Sequence, residues 1–552
     1  MATWKDRYFP ALAAALVVAA VLATNPVLEM GVNDDWSYAW IARHLAATGH
    51  FAYNGWVGTM LGLQAAWGAL LIRIFGFSFT LLRLSTLPFA AGCAILLYRF
   101  GRAAGLNPHF ALFASLSVIL CPVFIPMSAS YMTDIPGTFL FLAVAWCAWR
   151  ALDGHLAWVI AAALLGVLGT TVRQIVWFVP LTSLPIVAWV RRRDHRFRNW
   201  TLSLWCASLL LTALCIHWYN TQPYVFADIP HEPQSWADTV FDGFDAIEQT
   251  AICCLLLILP VQAALFPGVR VWLAPRSLII GLACSSSLVG LMFWFDDRLL
   301  LGNIITATGI LGQSDLLGQK PWLLTDPIQI SVGLFLYLST TITAATVAAA
   351  FSKLWSPPLL RLALILAPPT LLYAAAVVYR YMKSWIIFDR YLILLLPLLV
   401  IPLLWICQQS IRNAPPVRSW VLLAIGAAYG MALTHDYLAD ARARLQAATT
   451  VTSTGIPRSH VSAGFEYDGW TELEQNGRIL SLDELAALPP SQAPIQPAYW
   501  FWKTTRHVDP VYIVAFSPLK GLADSGFPTI RYRIWLPPFH RQVVTQRVPG
   551  RQ

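Results

Sequence analysis

The sequence has 552 residues, of which 57% are hydrophobic and only 12% are charged, and its mean hydropathy is +0.60. No ordinary soluble domain has this composition, which excludes a soluble enzyme or a soluble binding module. The formal net charge of +9 comes mostly from basic residues in short loops, where membrane topology already explains them, so nucleic acid is not an expected partner.

Apolar runs of membrane-spanning length recur along the first four-fifths of the chain, separated by short connections, which predicts helices rather than a barrel. The 25 Trp and 18 Tyr residues fit aromatic belts at the two membrane interfaces. The nine cysteines lie in or beside apolar runs, which indicates neither a disulfide framework nor a thiolate metal site. We predict an all-α polytopic membrane domain of about thirteen transmembrane helices over residues 1–435, and a small extracytoplasmic α/β domain over residues 436–552.

The start of the chain sets the predicted topology. Lys5 precedes the first apolar run and places the N-terminus in the cytoplasm by the positive-inside rule. The first helix therefore delivers Asp34 and Asp35 to the outer side of the membrane. Residues 36–50 have the spacing of an amphipathic interfacial helix, and residues 59–75 are predicted to be juxtamembrane or re-entrant.

The basic cluster at 191–198 is the strongest cytoplasmic mark and anchors the rest of the topology. Earlier in the chain, a helix near 109–126 leads outward to Asp134, which therefore lies on the same side of the membrane as Asp34. The last transmembrane helix is predicted near 419–435, which leaves the C-terminal part outside.

Two sets of charged residues are predicted to meet on that outer side. The early loops supply three carboxylates, Asp34, Asp35 and Asp134. The later loops supply three cations, Arg298, Lys383 and Arg390. A carboxylate can take a proton from an attacking hydroxyl or amine, while arginine and lysine hold a phosphate and offset charge on the leaving group. The layout suits an anionic lipid-linked donor that meets a neutral acceptor.

Each of these residues also has a purely structural interpretation. Asp34 and Asp134 are good helix-capping residues, and Arg390 at the end of a span suits an interfacial anchor. Arg173, at the outer end of a helix, is similarly ambiguous. In the tail, the acids and aromatics of residues 464–470 could grip a sugar, but a tight turn between two strands is favoured.

The stretch from Asp34-Asp-Trp-Ser-Tyr to Gly49 resembles the first outer loop of GT-C glycosyltransferases of the protein O-mannosyltransferase and aminoarabinose transferase type. The likeness extends to Tyr131-Met-Thr-Asp-Ile-Pro136 and to Asp389-Arg-Tyr391. The resemblance covers about residues 5–435. It depends on the order of the three motifs along the chain and on their predicted position on one side of the membrane.

The resemblance implies inverting transfer of a sugar from a polyprenyl-phosphate donor on the outer leaflet to a lipid, glycan or protein acceptor. The frequent Ala, Arg and Leu residues suggest a bacterial inner membrane, which places the predicted site in the periplasm. The resemblance implies that Asp34 is the catalytic base and Asp134 a second acidic residue of the site. It also implies substrate contacts from Tyr38, Asp35 and Tyr131. The donor phosphate is expected to contact Arg390 and Tyr391.

One departure concerns the phosphate. Aminoarabinose transferases have a Lys-Pro-Pro stretch where this chain has residues 54–59, so Lys383 or Arg298 is expected to supply that contact. Some family members use a divalent metal, for which Asp35 and Asp134 are the candidate ligands. The rival class is a transporter or flippase, for which charges near mid-membrane and internal repeats are expected, and the sequence shows neither clearly.

Overall fold

The computed structural model describes residues 4–226, 235–266, 275–295, 299–384, 387–410, 413–481, 484 and 499–551. The helices of the first half are α1 Trp4–Ala23, α2 Asp35–Thr48, α3 Gly62–Phe75, α4 Phe79–Leu84, α5 Leu87–Ala103, α6 Pro108–Ile119, α7 Phe124–Ser128, α8 Asp134–Ala151, α9 Leu156–Val172, α10 Phe178–Val190 and α11 His195–Asn220. Those of the second half are α12 Trp236–Leu257, α13 Leu259–Ala264, α14 Pro275–Phe295, α15 Asp326–Ala350, α16 Pro357–Ser384, α17 Leu396–Ser410, α18 Val417–Thr452 and α19 Phe465–Asn476.

Seven helices of the described ranges are long and apolar enough to cross a membrane, judged by length and composition. Five shorter apolar helices accompany them. The prediction of a polytopic helical membrane protein is thus confirmed, while the count of thirteen spans stays a prediction. The amphipathic helix predicted at 36–50 is α2, and the segment predicted to be juxtamembrane contains α3.

The stretch between α1 and α2 is held in place by one buried arginine. Arg83 has no solvent exposure, and its guanidinium donates hydrogen bonds to the carbonyl oxygens of Pro26, Leu28 and Met30 at 2.9 to 3.1 Å. Burying a guanidinium is costly unless its donors find acceptors, and here the two terminal nitrogens of Arg83 find them in an irregular backbone segment. The chain therefore arrives at Asp34 along a defined path.

The C-terminal part contains a small five-stranded sheet: β1 Val461–Ser462, β2 Tyr512–Ala515, β3 Ala523–Asp524, β4 Ile530–Arg533 and β5 His540–Arg547. β2 pairs in parallel with β1 and antiparallel with β5, and the first half of β5 pairs with β4 while its second half pairs with β2 and β3. The C-terminal part thus contains both helix and sheet, in the runs at 511–516 and 530–535 among others.

Helix α18 joins the membrane part to this sheet. The sequence predicted that the last helix ends near residue 435, but α18 continues to Thr452 and packs against β4 and β5. A helix of 36 residues is ~54 Å long, well beyond the ~30 Å of a bilayer core. The hydropathy falls after residue 435 because α18 there packs against the C-terminal sheet, and not because the helix ends.

The prediction of a tight turn at 464–470 was wrong, because α19 begins at Phe465. Asp468 lies inside the helix, where its carboxylate accepts hydrogen bonds from the Ser462 hydroxyl at 2.6 Å and the Ala463 amide at 3.0 Å. A Cβ on Gly469 would lie 2.7 Å from the ring of Trp36. The Asp-Gly pair therefore serves close packing against α2, a tertiary reason that overrides the local turn preference.

Candidate active site

A cavity of about 550 Å³ lies where several helices of the membrane part meet the C-terminal part. Five of its six charged residues stand at or near the ends of α-helices: Asp34 before α2, Asp134 at the start of α8, Arg173 after α9, Arg380 near the end of α16 and Arg390 before α17. The sixth, Asp315, lies in the segment between α14 and α15. The predicted residues Asp34, Tyr38, Asp134, Arg390 and Tyr391 all line this cavity. The structure thus brings together five residues that the sequence scatters over more than 350 positions.

Asp34 is held by its two carboxylate oxygens. One accepts a hydrogen bond from the indole N–H of Trp56 at 2.9 Å, and the other from the guanidinium of Arg390 at 3.2 Å. Asp34 is the N-cap residue of α2, but its side chain makes no capping hydrogen bond. The capping interpretation of this carboxylate is therefore wrong, and the carboxylate faces the cavity.

Arg390 is buried, with only 7% of its side chain exposed. Its Nε and Nη1 atoms have no hydrogen-bond partner among the described residues. Asp389 fixes its backbone, since this carboxylate accepts from the amides of Ile304, Ile305 and Arg390 itself. The interfacial-anchor interpretation is wrong, because a snorkelling arginine would extend to water. A buried guanidinium with unused donors at a cavity is instead a site for an anion.

Two further arginines surround the ring of Tyr391. The guanidinium carbons of Arg173 and Arg380 lie 5.4 and 5.3 Å from the ring centroid, and that of Arg390 lies 5.7 Å away. Arg380 also donates to the Tyr391 hydroxyl at 3.1 Å. Three cations thus face one part of the cavity, which we call the cationic wall: Arg173, Arg380, Arg390 and Tyr391. The sequence left Arg173 ambiguous and did not assign Arg380.

Asp134 is paired with one of these cations. Its carboxylate is 4% exposed and lies 2.5 Å from the guanidinium of Arg173. The bridge spans the start of α8 and the end of α9, so it also ties these helix ends together. Asp134 therefore lines the cavity as the partner of a cation rather than as a free carboxylate.

Asp35 and Tyr131 are braces outside the cavity lining. Asp35 is 1% exposed, and its two oxygens accept from the amides of Val32 at 2.6 Å and Tyr131 at 3.1 Å. The Tyr131 hydroxyl donates to the carbonyl of Gln64 at 2.6 Å. The Asp35 carboxylate thus ties the loop that carries Asp34 to the backbone at Tyr131, whereas the Tyr131 side chain is bound to α3. Neither side chain supports the substrate contact predicted for it.

The remaining predictions for the site concern cations and metals. Lys383 is exposed and does not line the cavity, and Arg298 lies outside the described residues. Within the described ranges no group of three or more His, Cys, Asp or Glu side chains is arranged to hold a metal ion. Asp35 and Asp134 do not fit as a pair of metal ligands. The Asp35 carboxylate accepts hydrogen bonds from backbone amides, and the Asp134 carboxylate forms an ion pair with Arg173.

A chain of hydrogen bonds reaches the Asp34 loop from the C-terminal part. The amide of Asn33 donates to the Tyr437 hydroxyl at 2.7 Å, and that hydroxyl donates to the Glu466 carboxylate at 2.5 Å. Glu466 in turn pairs with Arg444 at 3.0 Å. Asn33 has a φ of 54°, a left-handed conformation that asparagine tolerates better than most residues. The residue before Asp34 is therefore held from α18 and α19.

The cavity is also lined by four aromatic residues that the sequence did not predict for the site: Trp56, Phe226, Phe465 and Trp500. We call them the aromatic wall. Trp56 packs at 5.7 Å from Phe226, 5.5 Å from Phe465 and 6.5 Å from Trp500, measured between ring centroids. With 25 Trp in a membrane protein, interfacial belts account for most of them, so composition alone gave no signal for these four.

The fold and the cavity define a class: a helical membrane protein whose charged site lies at helix ends beside a small C-terminal sheet. No protein-family model matches the chain, and no curated protein matches it in sequence.

Solved structures do match. The chain is similar to ArnT from Cupriavidus metallidurans bound to undecaprenyl phosphate, with 12% identity, a TM-score of 0.41 and 98% of each chain covered. It is similar to the arabinosyltransferase EmbB from Mycobacterium smegmatis, with 16% identity, a TM-score of 0.34 and 96% of this chain but 47% of that one covered. It is also similar to the protein O-mannosyltransferase Pmt1–Pmt2 complex of S. cerevisiae bound to the sugar donor, with 15% identity, a TM-score of 0.34 and 41% of this chain and 35% of that one covered.

Proposed function

We propose that this protein is an integral membrane glycosyltransferase that moves a sugar from a polyprenyl-phosphate donor to an acceptor on the outer face of the membrane. The observation that carries the proposal is the position of Asp34, held between the Trp56 indole and the Arg390 guanidinium. A proton acceptor and a buried cation with unused donors thus share one cavity. Transfer from a phosphate ester requires these two groups side by side.

The proposed reaction is a single displacement with inversion. Asp34 takes the proton of the acceptor hydroxyl as the acceptor oxygen forms a bond to the anomeric carbon of the sugar. The bond from that carbon to the phosphate oxygen breaks, and the phosphate leaves with the electron pair. The products are the glycosylated acceptor, polyprenyl phosphate and a protonated Asp34, which returns its proton to water.

The reaction moves one negative charge across the cavity, from the Asp34 carboxylate to the departing phosphate. Arg390 already lies 3.2 Å from that carboxylate. As Asp34 becomes neutral, the charge of Arg390 is left to stabilise the phosphate through its Nε and Nη1 atoms. A cation fixed between the two positions stabilises charge where it develops without having to reorganise.

The remaining residues of the cationic wall complete the donor site in this proposal. Arg173 and Arg380 bind the phosphate beside Arg390, which replaces the contact that the sequence assigned to Lys383 or Arg298. Asp134 holds Arg173 in place through their 2.5 Å ion pair. Tyr38, which lines the cavity and is 6% exposed, borders the sugar between Asp34 and the phosphate.

The topology predicted from the basic residues belongs to the same proposal. It gives about thirteen spans over residues 1–435, an outer domain over 436–552, a cytoplasmic N-terminus and a bacterial inner membrane with the cavity facing the periplasm. The common position of the cavity residues at helix ends supports this arrangement, because a donor in the outer leaflet carries its phosphate at the interface.

The test uses the full chain in lipid nanodiscs with a panel of undecaprenyl-phosphate sugars and outer-membrane or cell-wall extracts as acceptors. We expect release of undecaprenyl phosphate together with transferred sugar, and Asp34→Asn to lower the rate at least ~100-fold. The matched control is Asp153→Asn, which breaks an exposed pair with Arg361 and should leave transfer unchanged. An active Asp34→Asn variant would disprove the role of the base. Donor-independent uptake of a solute into vesicles, without transfer, would instead favour the transporter class.

A further inference from the structure

Apart from the Trp56 N–H that donates to Asp34, the proposed donor chemistry does not use the aromatic wall of the cavity. Trp500 is 39% exposed although its neighbour in the wall, Phe465, is buried. The planes of these two rings are inclined by 28° with centroids 5.9 Å apart, and Trp56 is inclined by 35° to Trp500. Trp56 is inclined more steeply, by 60°, to Phe465. Aromatic rings that border a cavity offer apolar faces to a ligand.

The hydrogen bonds of Asp34 fix the place of this wall relative to the donor site. Trp56 binds one carboxylate oxygen and Arg390 binds the other. Asp34 therefore stands between the aromatic wall and the cationic wall. A donor whose phosphate lies on the arginines places its anomeric carbon near Asp34, so the molecule that attacks this carbon must approach from the side of Trp56.

One carboxylate accompanies the aromatic rings. Asp315 lines the cavity, and its carbonyl oxygen accepts a hydrogen bond from the hydroxyl of Tyr499, the residue before Trp500, at 3.2 Å. The Asp315 side chain accepts from the amide of Gly312 at 3.1 Å and retains further acceptor capacity. The three arginines that line the cavity belong to the cationic wall. The aromatic side is thus suited to hydroxyl donors and unsuited to anions.

We propose, resting on the glycosyltransferase function above, that the aromatic wall is the acceptor subsite and that the acceptor presents a neutral sugar ring. The apolar C–H face of the ring packs on Trp500 and Trp56, and its hydroxyls donate to Asp315 and Asp34. The hydroxyl nearest Asp34 is the one that loses its proton. The acceptor is accordingly a glycan end rather than a phosphorylated lipid headgroup or a peptide.

The test separates acceptor use from donor binding in nanodiscs. Acceptors are neutral glycans of two to four sugars, the same glycans carrying a phosphate, and hydroxyl-bearing peptides, while undecaprenyl phosphate is the probe for the donor site. We expect transfer to the neutral glycans, and Trp500→Ala to raise their KM about tenfold with the affinity for undecaprenyl phosphate unchanged. Trp500→Phe, which keeps a flat ring, should restore most of the acceptor affinity.

The matched control is Trp535→Ala, because Trp535 is also in the C-terminal part and 44% exposed but does not line the cavity. It should leave the acceptor KM unchanged. Preference for phosphorylated glycans or peptides, or a Trp500→Ala variant with an unchanged acceptor KM, would overturn the acceptor assignment alone. Absence of transfer from every donor, to any acceptor, would overturn the glycosyltransferase function itself.

Discussion

The two walls of the cavity are built in opposite ways. The cationic wall consists of long charged side chains from helix ends, each fixed by ion pairs and hydrogen bonds, as with Arg173 on Asp134 and Arg390 on Asp34. The aromatic wall consists of rings that pack on one another, and Trp500 remains partly exposed. Charge stabilisation requires fixed geometry, whereas apolar contact tolerates small shifts. In our proposal, the chemical step takes place at the first wall and acceptor recognition at the second.

The largest effect is expected from breaking the cationic wall. Arg390→Ala should lower kcat/KM about 10³-fold and weaken undecaprenyl phosphate binding, because it removes the cation between base and phosphate. Arg390→Lys should recover only part of the loss, since a lysine cannot donate to both groups in the same geometry. Transfer and binding assays measure both changes. Arg361→Ala is the matched control, as this arginine pairs with the exposed Asp153; a similar loss there would refute the assignment.

A smaller effect is expected where the C-terminal part supports the base. Tyr437→Phe removes the acceptor of the Asn33 amide and the donor to Glu466. We expect kcat to fall about tenfold with unchanged undecaprenyl phosphate affinity, since the backbone that carries Asp34 loses one constraint. Tyr532→Phe removes a comparable hydroxyl, which donates to Asp440 at 2.7 Å, and should leave kcat unchanged. Equal losses in the two variants would indicate a general loss of stability.

Trp56 makes two kinds of contact, with the rings of the aromatic wall and with the Asp34 carboxylate, and a conservative change separates them. Trp56→Phe keeps a ring in the aromatic wall but removes the N–H that donates to Asp34. We expect kcat to fall several-fold, with little change in the acceptor KM, because one hydrogen bond to a charged group is lost. Steady-state kinetics with a neutral glycan provide the measurement. A raised acceptor KM with normal kcat would show that the ring, not its N–H, is what Trp56 contributes.

The smallest effect on transfer is expected at Asp468, behind the aromatic wall. Burial raises its pKa to about 7, although hydrogen bonds from Ser462, Ala463 and Trp502 oppose that rise. The folded protein therefore retains this proton at pH values where the unfolded chain, with a pKa near 3.8, has lost it. The free energy of unfolding should decrease as pH rises from about 4 to about 7 and then level off. Thermal unfolding should show a flatter pH dependence in Asp468→Asn at unchanged activity, and an identical pH dependence would contradict the assignment.

The charged half of the site was largely predictable from the sequence. Asp34, Asp134 and Arg390 follow or precede apolar runs on one predicted side of the membrane, and topology alone brings such residues together. The two braces, Asp35 and Tyr131, were indistinguishable from site residues, because a buried carboxylate on backbone amides has the same sequence pattern as one in a cavity.

The aromatic half was not predictable, for a physical reason. Trp56 and Trp500 meet only through tertiary packing of distant segments, and the abundance of tryptophan in a membrane protein hides the few that line a cavity. Similarly, Gly469 lies inside α19, where the absence of a Cβ lets the ring of Trp36 approach closely. Local turn preferences cannot predict such a contact. The fold class, in contrast, could be predicted, because it depends on the hydropathy of successive segments, which is a local property of the sequence.

The cavity is lined by residue 34 and by residue 500. A ribosome that adds ~5–20 residues per second needs tens of seconds to pass from one to the other. During that interval a nascent chain already carries its first acidic loop but lacks the ring of Trp500 and the helix that holds Asn33. The cavity can therefore be completed only after nearly the whole chain has been synthesised.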